Sequence, residues 1–250
     1  MIIQSIILLG GKGTRLQELY PDRPKALAPV AGRPFLELQL AWLARHGVRD
    51  IHLAAGYKAQ AIRDWVSVSG QSGAITVSAE PEPLGTGGGL KFTEPFIRTD
   101  PCLVLNGDSL LPNLDFNAFA DAGRGSDALA SLAVTRIESA GRYGTVEFDD
   151  RKRVTAFREK AAHTSGVGRT GGGDRTGGWI NGGVYLILRE LLTRIEPGKF
   201  VSLETDVFPA LCAEGRLGVF PAAPPLLDMG TPDGIRAMEC YLRNPASNSA

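Results

Sequence analysis

The sequence predicts an α/β protein with a mostly parallel central sheet, helices on both of its faces and a smaller β-rich lobe. Three observations lead there. The chain opens on Ile2–Leu9, an almost unbroken Ile/Leu run ending at Gly10 and Gly11, which reads as a strand buried on both faces. Strand-like and helix-like segments then alternate to about residue 122, the rhythm of a doubly wound sheet. From Asp127 onward, short β-rich segments dominate.

The elements follow in order. Pro21, Pro24 and Pro29 keep the loop after the first strand non-helical. Phe35–His46 puts Leu36, Leu40 and Leu43 on one helical face, with Gly47 behind it as a C-terminal cap. Asp50–Ala55 reads as a strand, Lys58–Val66 as a helix, and Ala74–Ala79 and Cys102–Leu105 as further strands. Ala128–Val134, Gly144–Phe148, Val154–Arg158 and Trp179–Ile187 complete the strands, and Leu203–Glu214 and Thr231–Leu242 read as helices. No composition break or repeat divides the chain, so residues 1–250 are expected to form one domain with two halves meeting near residue 122. Thr164–Gly178 holds seven glycines and is expected to be a surface loop. Trp42, Trp65 and Trp179 read as core packing, and His46 and His52 as packing or surface residues rather than ligands.

Composition excludes several functions. Of 250 residues, 43% are hydrophobic and 22% charged, with 27 Lys plus Arg against 27 Asp plus Glu. A net charge of zero disfavours binding of nucleic acid or an anionic membrane surface through bulk charge. No stretch approaches the roughly 20 apolar residues of a membrane span, and no secretory signal is expected at the N-terminus. Cys102, Cys212 and Cys240 lie far apart without a CxxC, which fits a reducing cytoplasm better than disulfides or zinc.

The chemistry concentrates in a few motifs. Gly10-Gly11-Lys12-Gly13-Thr14-Arg15 follows directly on the first strand. Glycines let backbone N–H groups approach phosphate, Thr14 offers a hydroxyl and Arg15 a permanent forked cation. It is not a P-loop, since Gly13 follows Lys12, nor a G-x-G-x-x-G fingerprint. Ten residues after Arg15, Pro24 stiffens the backbone before Lys25. Asp108 and Asp228 each follow an apolar run, and carboxylates at strand ends can converge on Mg²⁺.

Gly10 to Leu16 with Pro24-Lys25 resembles the signature of the sugar-1-phosphate nucleotidylyltransferases. Within them it is most similar to the heptose-1-phosphate and mannose-1-phosphate guanylyltransferases. Glu82 to Gly88, Leu105-Asn106-Gly107-Asp108, Tyr143 to Val146, Phe157 to Lys160, Asn181 to Tyr185 and Asp228 to Pro232 fit the same pattern in the same order. The resemblance implies a Rossmann-like topology, with the first half binding nucleotide and the second binding sugar. It implies nucleotide contacts from Leu9, Gly10, Gly11, Gly13, Thr14, Glu80, Gly85, Thr86 and Asp108, and catalytic roles for Arg15 and Lys25. Gly144, Glu159, Lys160 and Asn181 would bind the sugar phosphate, and Asp108 and Asp228 would hold Mg²⁺. Related thymidylyl and uridylyl enzymes tend to carry Gln where Glu80 falls. A carboxylate accepts two adjacent guanine donors, which Gln cannot do, so GTP is the expected donor.

The implied reaction is attack of a sugar 1-phosphate on GTP, with D-glycero-α-D-manno-heptose 1-phosphate first among acceptors. Mannose 1-phosphate comes next, then uridylyl transfer to an amino-sugar phosphate. A non-catalytic nucleotide-sugar-binding subunit is a rival of another class, opposed by the presence of Arg15, Lys25, Asp108, Lys160 and Asp228. A glycosyltransferase would show an Asp-x-Asp, which Gly107-Asp108-Ser109 lacks. A homodimer is left open.

Overall fold

The structure, a computed structural model, describes residues 3–70, 75–139, 143–158 and 176–243. Gln4–Leu9 lies inside a nine-stranded sheet, paired in parallel with Asp50–Ala55 on one side and Cys102–Asn106 on the other. Ile75–Ala79 extends the parallel half beyond Asp50–Ala55. The opening apolar run is explained by alternation between two buried faces. Ile3, Ile7 and Leu9 join a core with Phe35, Trp42 and Phe116, whereas Ile6 joins a second core with Leu90, Tyr185 and Phe208.

The helix Phe35–Arg45 ends as its sequence predicts. Gly47 turns left-handed (φ 76), Gly47 N–H bonds the Ala44 carbonyl at 3.1 Å, and Val48 N–H bonds that of Leu43 at 3.0 Å. His52 packs fully buried, with its ring nitrogens 2.8 and 2.9 Å from the hydroxyls of Thr76 and Ser78. Burial pushes its pKa down to about 4, so it is a neutral packing group. Trp42 is core, Trp65 packs against the same core, and Trp179 packs on Phe148.

The second half joins through Thr176–Ile187, antiparallel to Cys102–Asn106 and to Ala130–Ser139. Thr145–Phe148 and Val154–Arg158 form an antiparallel pair attached to it. The sheet is therefore parallel where nucleotide is expected and mixed where sugar is expected.

Several elements depart from the sequence reading. Gly85–Phe92 is a helix despite four glycines. Leu217–Ala222 is a strand despite Pro221: it pairs along its length with Ala130–Ser139, and on its other side only an isolated bridge, Gly218 to Arg153, is made, which leaves Pro221 on an open edge. The helix expected over 203–214 begins as a π-turn, Leu203–Val207, before Phe208–Ala213. The proline-containing loop holds two short helical turns, Thr14–Gln17 and Lys25–Leu27. Of the glycine-rich stretch 164–178, residues 164–175 lie outside the described residues. Its last three residues belong to the strand Thr176–Ile187, where Thr176 and Gly178 stand opposite Ser139 and Ile137. Among the described residues, no helix is long and apolar enough to cross a membrane, and all three cysteines are free.

Candidate active site

Four parallel strands end on one side of the sheet, and the segments leaving them line a cleft of ≈550 Å³. This is the edge where open α/β sheets bind ligands. From the first strand come Leu9, Gly10, Gly11, Lys12 and Gly13, and from the fourth come Asn106, Gly107 and Asp108. Gly13 turns left-handed (φ 61), and its carbonyl accepts from Leu16 N–H at 2.9 Å to start the turn Thr14–Gln17. A Cβ on Gly13 would lie 2.9 Å from the Lys25 Cβ, so glycine here lets the lysine pack against the loop.

Pro24 is extended (φ −69, ψ 152) and delivers Lys25 into the cleft, where its Nζ lies 2.7 Å from Asp108 Oδ2. Thr14 is exposed and is not among the residues lining the cleft. Arg15 has its backbone in the same turn, and its side chain lies outside the described residues.

Glu80 follows the strand Ile75–Ala79 and lines the same cleft. Its carboxylate is packed among glycines, since a Cβ on either Gly10 or Gly56 would overlap Oε1 and one on Gly89 would lie 3.2 Å from Oε2. Burial pushes its pKa up, and a hydrogen bond from the Leu84 backbone partly opposes this. Gly85 and Thr86 also line the cleft, although the Thr86 hydroxyl already donates to Glu204 Oε2 (2.6 Å) and accepts from Leu203 N–H (2.8 Å).

A second cavity of ≈350 Å³ shares Asn106 and Asp108 with the first and adds Gly144, Asn181, Ser202, Glu204 and Asp228. The two aspartates meet because Leu227–Asp228 pairs antiparallel with Ser109–Leu110, placing Asp228 opposite Ser109. Met229 N–H bonds the Asp108 carbonyl at 2.9 Å, and Asp228 Oδ1 accepts from Gly230 N–H at 2.6 Å. Among the described residues, no group of three or more His, Cys, Asp or Glu is placed to hold a metal. Two aspartates lining one cavity nevertheless suit Mg²⁺, which takes one or two carboxylates from protein and the rest of its shell from water and substrate phosphates.

A polar network centred on Tyr185, a residue the sequence did not single out, stands behind the sugar-side cavity. The Tyr185 hydroxyl is fully buried, accepts from Asn181 Nδ2 (2.9 Å) and Asn106 Nδ2 (3.3 Å), and donates to Glu204 Oε1 (3.3 Å). Burial and the nearby Glu204 carboxylate hold its pKa well above the ordinary phenol value. Glu204 Oε2 accepts from Thr86 and from Ser202 Oγ (3.0 Å), so this carboxylate links the two cavities. Asn181 fills its amide internally, with Oδ1 accepting from Gly183 N–H at 3.0 Å, while still lining the cavity. Glu159 and Lys160 lie outside the described residues. Phe200, which also lines the nucleotide-side cleft, gave no signal in the sequence.

Residues 4–244 match the nucleotidyl transferase family. The chain is 34% identical over 252 residues to a mannose-1-phosphate guanylyltransferase of Mycobacterium tuberculosis, covering 99% of this chain and 67% of that protein. It is 34% identical over 189 residues to a D-glycero-α-D-manno-heptose 1-phosphate guanylyltransferase of Campylobacter jejuni, covering 76% and 77%. The crystal structure of HddC from Yersinia pseudotuberculosis complexed with GMP-PN superposes with a TM-score of 0.78 at 27% identity, covering 96% of this chain and all of that one.

Proposed function

The chain belongs to the nucleotidyl transferase family, and from that premise we propose that it transfers a guanylyl group from GTP to a sugar 1-phosphate. D-glycero-α-D-manno-heptose 1-phosphate is the favoured acceptor, and GDP-heptose and pyrophosphate are the products. The observation that carries this reading is Asp108, shared by two cavities, one lined by a glycine loop and one by polar side chains, with Lys25 paired to it from the first. A phosphate in each cavity would meet there.

In this reading, an oxygen of the sugar phosphate attacks the α-phosphorus of GTP in line. The new P–O bond forms as the bond to the bridging oxygen breaks, and that electron pair leaves with pyrophosphate. The nucleophile is already an anion, so no general base is required. Catalysis is then positioning and charge neutralisation. Lys25 would leave Asp108 to bridge the α-phosphate and the incoming phosphate, and Arg15 would hold the triphosphate. Lys160 would pair with the sugar phosphate, and Glu159, Gly144 and Asn181 would face the sugar. Asp108 and Asp228 would hold Mg²⁺. Such an ion, when bound, draws the phosphates together and neutralises their charge. Glu80 would accept the guanine ring N–H and exocyclic amine, a role supported by its place among glycines on the cleft wall. The work would be done in the cytoplasm, supplying an activated sugar for surface polysaccharide.

Mannose 1-phosphate is the second acceptor, favoured by the match over 99% of this chain to the mycobacterial protein. The test is pyrophosphate release with each of four nucleoside triphosphates against a panel of sugar 1-phosphates. GTP with heptose 1-phosphate should give the highest kcat/KM. A higher value with mannose 1-phosphate moves the acceptor, a higher value with UTP or dTTP removes the base assignment, and no turnover with any pair removes the enzyme.

A further inference from the structure

Glycine is the poorest ordinary helix former, yet Gly85–Phe92 contains four glycines in eight residues. The packing supplies the reason. A Cβ on Gly85 would overlap the Val201 carbonyl, one on Gly88 would overlap the Lys199 carbonyl, and one on Gly87 would lie 3.0 Å from a Val201 methyl. These glycines let the segment 199–201 lie directly against the helix start. Backbone hydrogen bonds fix it there: Val201 N–H to the Leu84 carbonyl (2.8 Å), and Gly87 and Gly88 N–H to the Val201 carbonyl (2.8 and 3.1 Å).

Phe200 stands at the centre of this clamp. Its backbone neighbours are held, but its ring is 71% exposed. Five large apolar side chains are exposed among the described residues, and of these only Phe200 lines the nucleotide-side cleft. The ring tip lies 3.4 Å from where a Cβ on Gly85 would sit, and the Glu80 carboxylate lies 3.2 Å from where one on Gly89 would sit. The ring tip and the carboxylate thus lie beside the two ends of the same glycine run, and both line the cleft. A solvent-facing aromatic at a ligand cleft has only two side-chain torsions to fix on binding and gains a stacking partner.

We propose that Phe200 is the stacking platform for the base of the bound nucleoside triphosphate, while Glu80 holds the edge of that base. This rests on the guanylyl-transfer reading above and adds a binding residue to it. It also assigns the glycines of Leu84-Gly85-Thr86-Gly87-Gly88 to docking the platform.

The experiment is equilibrium binding of GTP to the full chain by calorimetry, without sugar phosphate, for the wild type, Phe200→Ala and Phe200→Trp. Inorganic tripolyphosphate serves as the probe without a base. Phe200→Ala should weaken GTP binding about 5- to 150-fold, the range for loss of one base–aromatic stack. Tripolyphosphate binding should be unchanged, and Phe200→Trp should hold GTP close to the wild-type level. The ring is exposed, so a cooperative melting curve is expected for both variants. Unchanged GTP binding by Phe200→Ala overturns the platform, as does an equal loss with tripolyphosphate or a change confined to oligomeric state. Stacking tolerates any base, so a wild type that prefers UTP sinks the guanine assignment alone, provided Phe200→Ala still weakens UTP. A wild type that binds no nucleoside triphosphate overturns both readings.

Discussion

The two cavities meet at Asp108 but are built by different means. The nucleotide-side cleft is made of strand ends, with glycines that let neighbouring groups close in, Lys25 against Gly13 and Glu80 against Gly10 and Gly56. Its shape is set largely by backbone. The sugar-side cavity is lined by half-buried polar side chains, with Asn106, Asn181 and Glu204 bonded to the buried Tyr185 behind them and Ser202 bonded to Glu204, across three segments of the chain. The first needs a local motif after each strand. The second needs every member of a network, because an unmatched buried polar group costs about 1–3 kcal/mol. One side should therefore fail by losing charge or recognition, and the other by losing order.

The largest effect is expected where the cavities touch. Lys25→Ala should lower kcat by about 100-fold or more, the scale for removing one preorganised charge donor from a reaction centre. Arg15→Ala should do the same. Steady-state kinetics on folded protein checks this, and near-normal kcat in either variant would remove the phosphate clamp. Asp228→Asn comes next. It should abolish most Mg²⁺-dependent turnover while the melting temperature holds, since Asp228 is half-buried at the end of a two-residue strand and not core. An unchanged rate and Mg²⁺ requirement would show that the pair of aspartates is not the metal site.

The same contrast explains what could be read without coordinates. The first strand, the glycine loop, Lys25, Asp108 and Glu80 lie in short contiguous motifs, and the structure puts Gly10, Gly11, Gly13, Lys25, Glu80 and Asp108 on one cleft. The neighbourhood of Asp108 and Asp228 depends on a two-residue antiparallel pairing between distant segments, which no local pattern encodes. Tyr185 escaped because a tyrosine in an apolar strand is ordinary in sequence; only its hydrogen bonds to Asn106, Asn181 and Glu204 tie it to the site. Gly85–Phe92 escaped as a helix because its glycines answer to the segment 199–201 rather than to helix propensity. Pro221 hid an edge strand for a similar reason, since what permits it is that the outer side carries only an isolated bridge at Gly218.

Base recognition should show an intermediate effect. Glu80→Gln replaces an acceptor with a donor facing a guanine donor, so the ratio of kcat/KM for GTP over UTP should fall roughly 5- to 150-fold, the equivalent of about 1–3 kcal/mol. A general loss of activity cancels from that ratio, and an unchanged ratio would mean that Glu80 does not read the base. The raised pKa of Glu80 gives a second signature. As pH falls through it, the carboxylate gains a proton and loses an acceptor, so KM for GTP should climb on the acid side, and Glu80→Gln should flatten that climb. The stability sign is opposite. A carboxyl whose folded pKa is raised favours the fold at low pH, and that contribution is lost as pH rises through the folded pKa. Glu80→Gln should therefore leave the melting temperature at neutral pH unchanged or higher.

The smallest effect on turnover, and the sharpest separation of the two cavities, is expected from Tyr185→Phe. The hydroxyl accepts two amide donors and makes one donation, which fills the capacity of a phenol. Removing it keeps the ring and its contact with Phe208 at 5.1 Å between centroids. It also leaves Asn181, Asn106 and Glu204, all half-buried, each short of a partner. The expected cost is about 1–3 kcal/mol, which for a chain of this size corresponds to about 2–4 °C in Tm per kcal/mol. Because Asn181 and Glu204 line the sugar-side cavity, their loosened side chains should raise KM for the sugar 1-phosphate. Thr86 keeps its own bond to the other oxygen of Glu204, so KM for GTP should move less. Measuring both KM values with Tm in the same variant decides the matter. A lower Tm with both KM values unchanged would make the network purely structural, and equal rises in both would mean that Glu204 couples the cavities too tightly for either to fail alone.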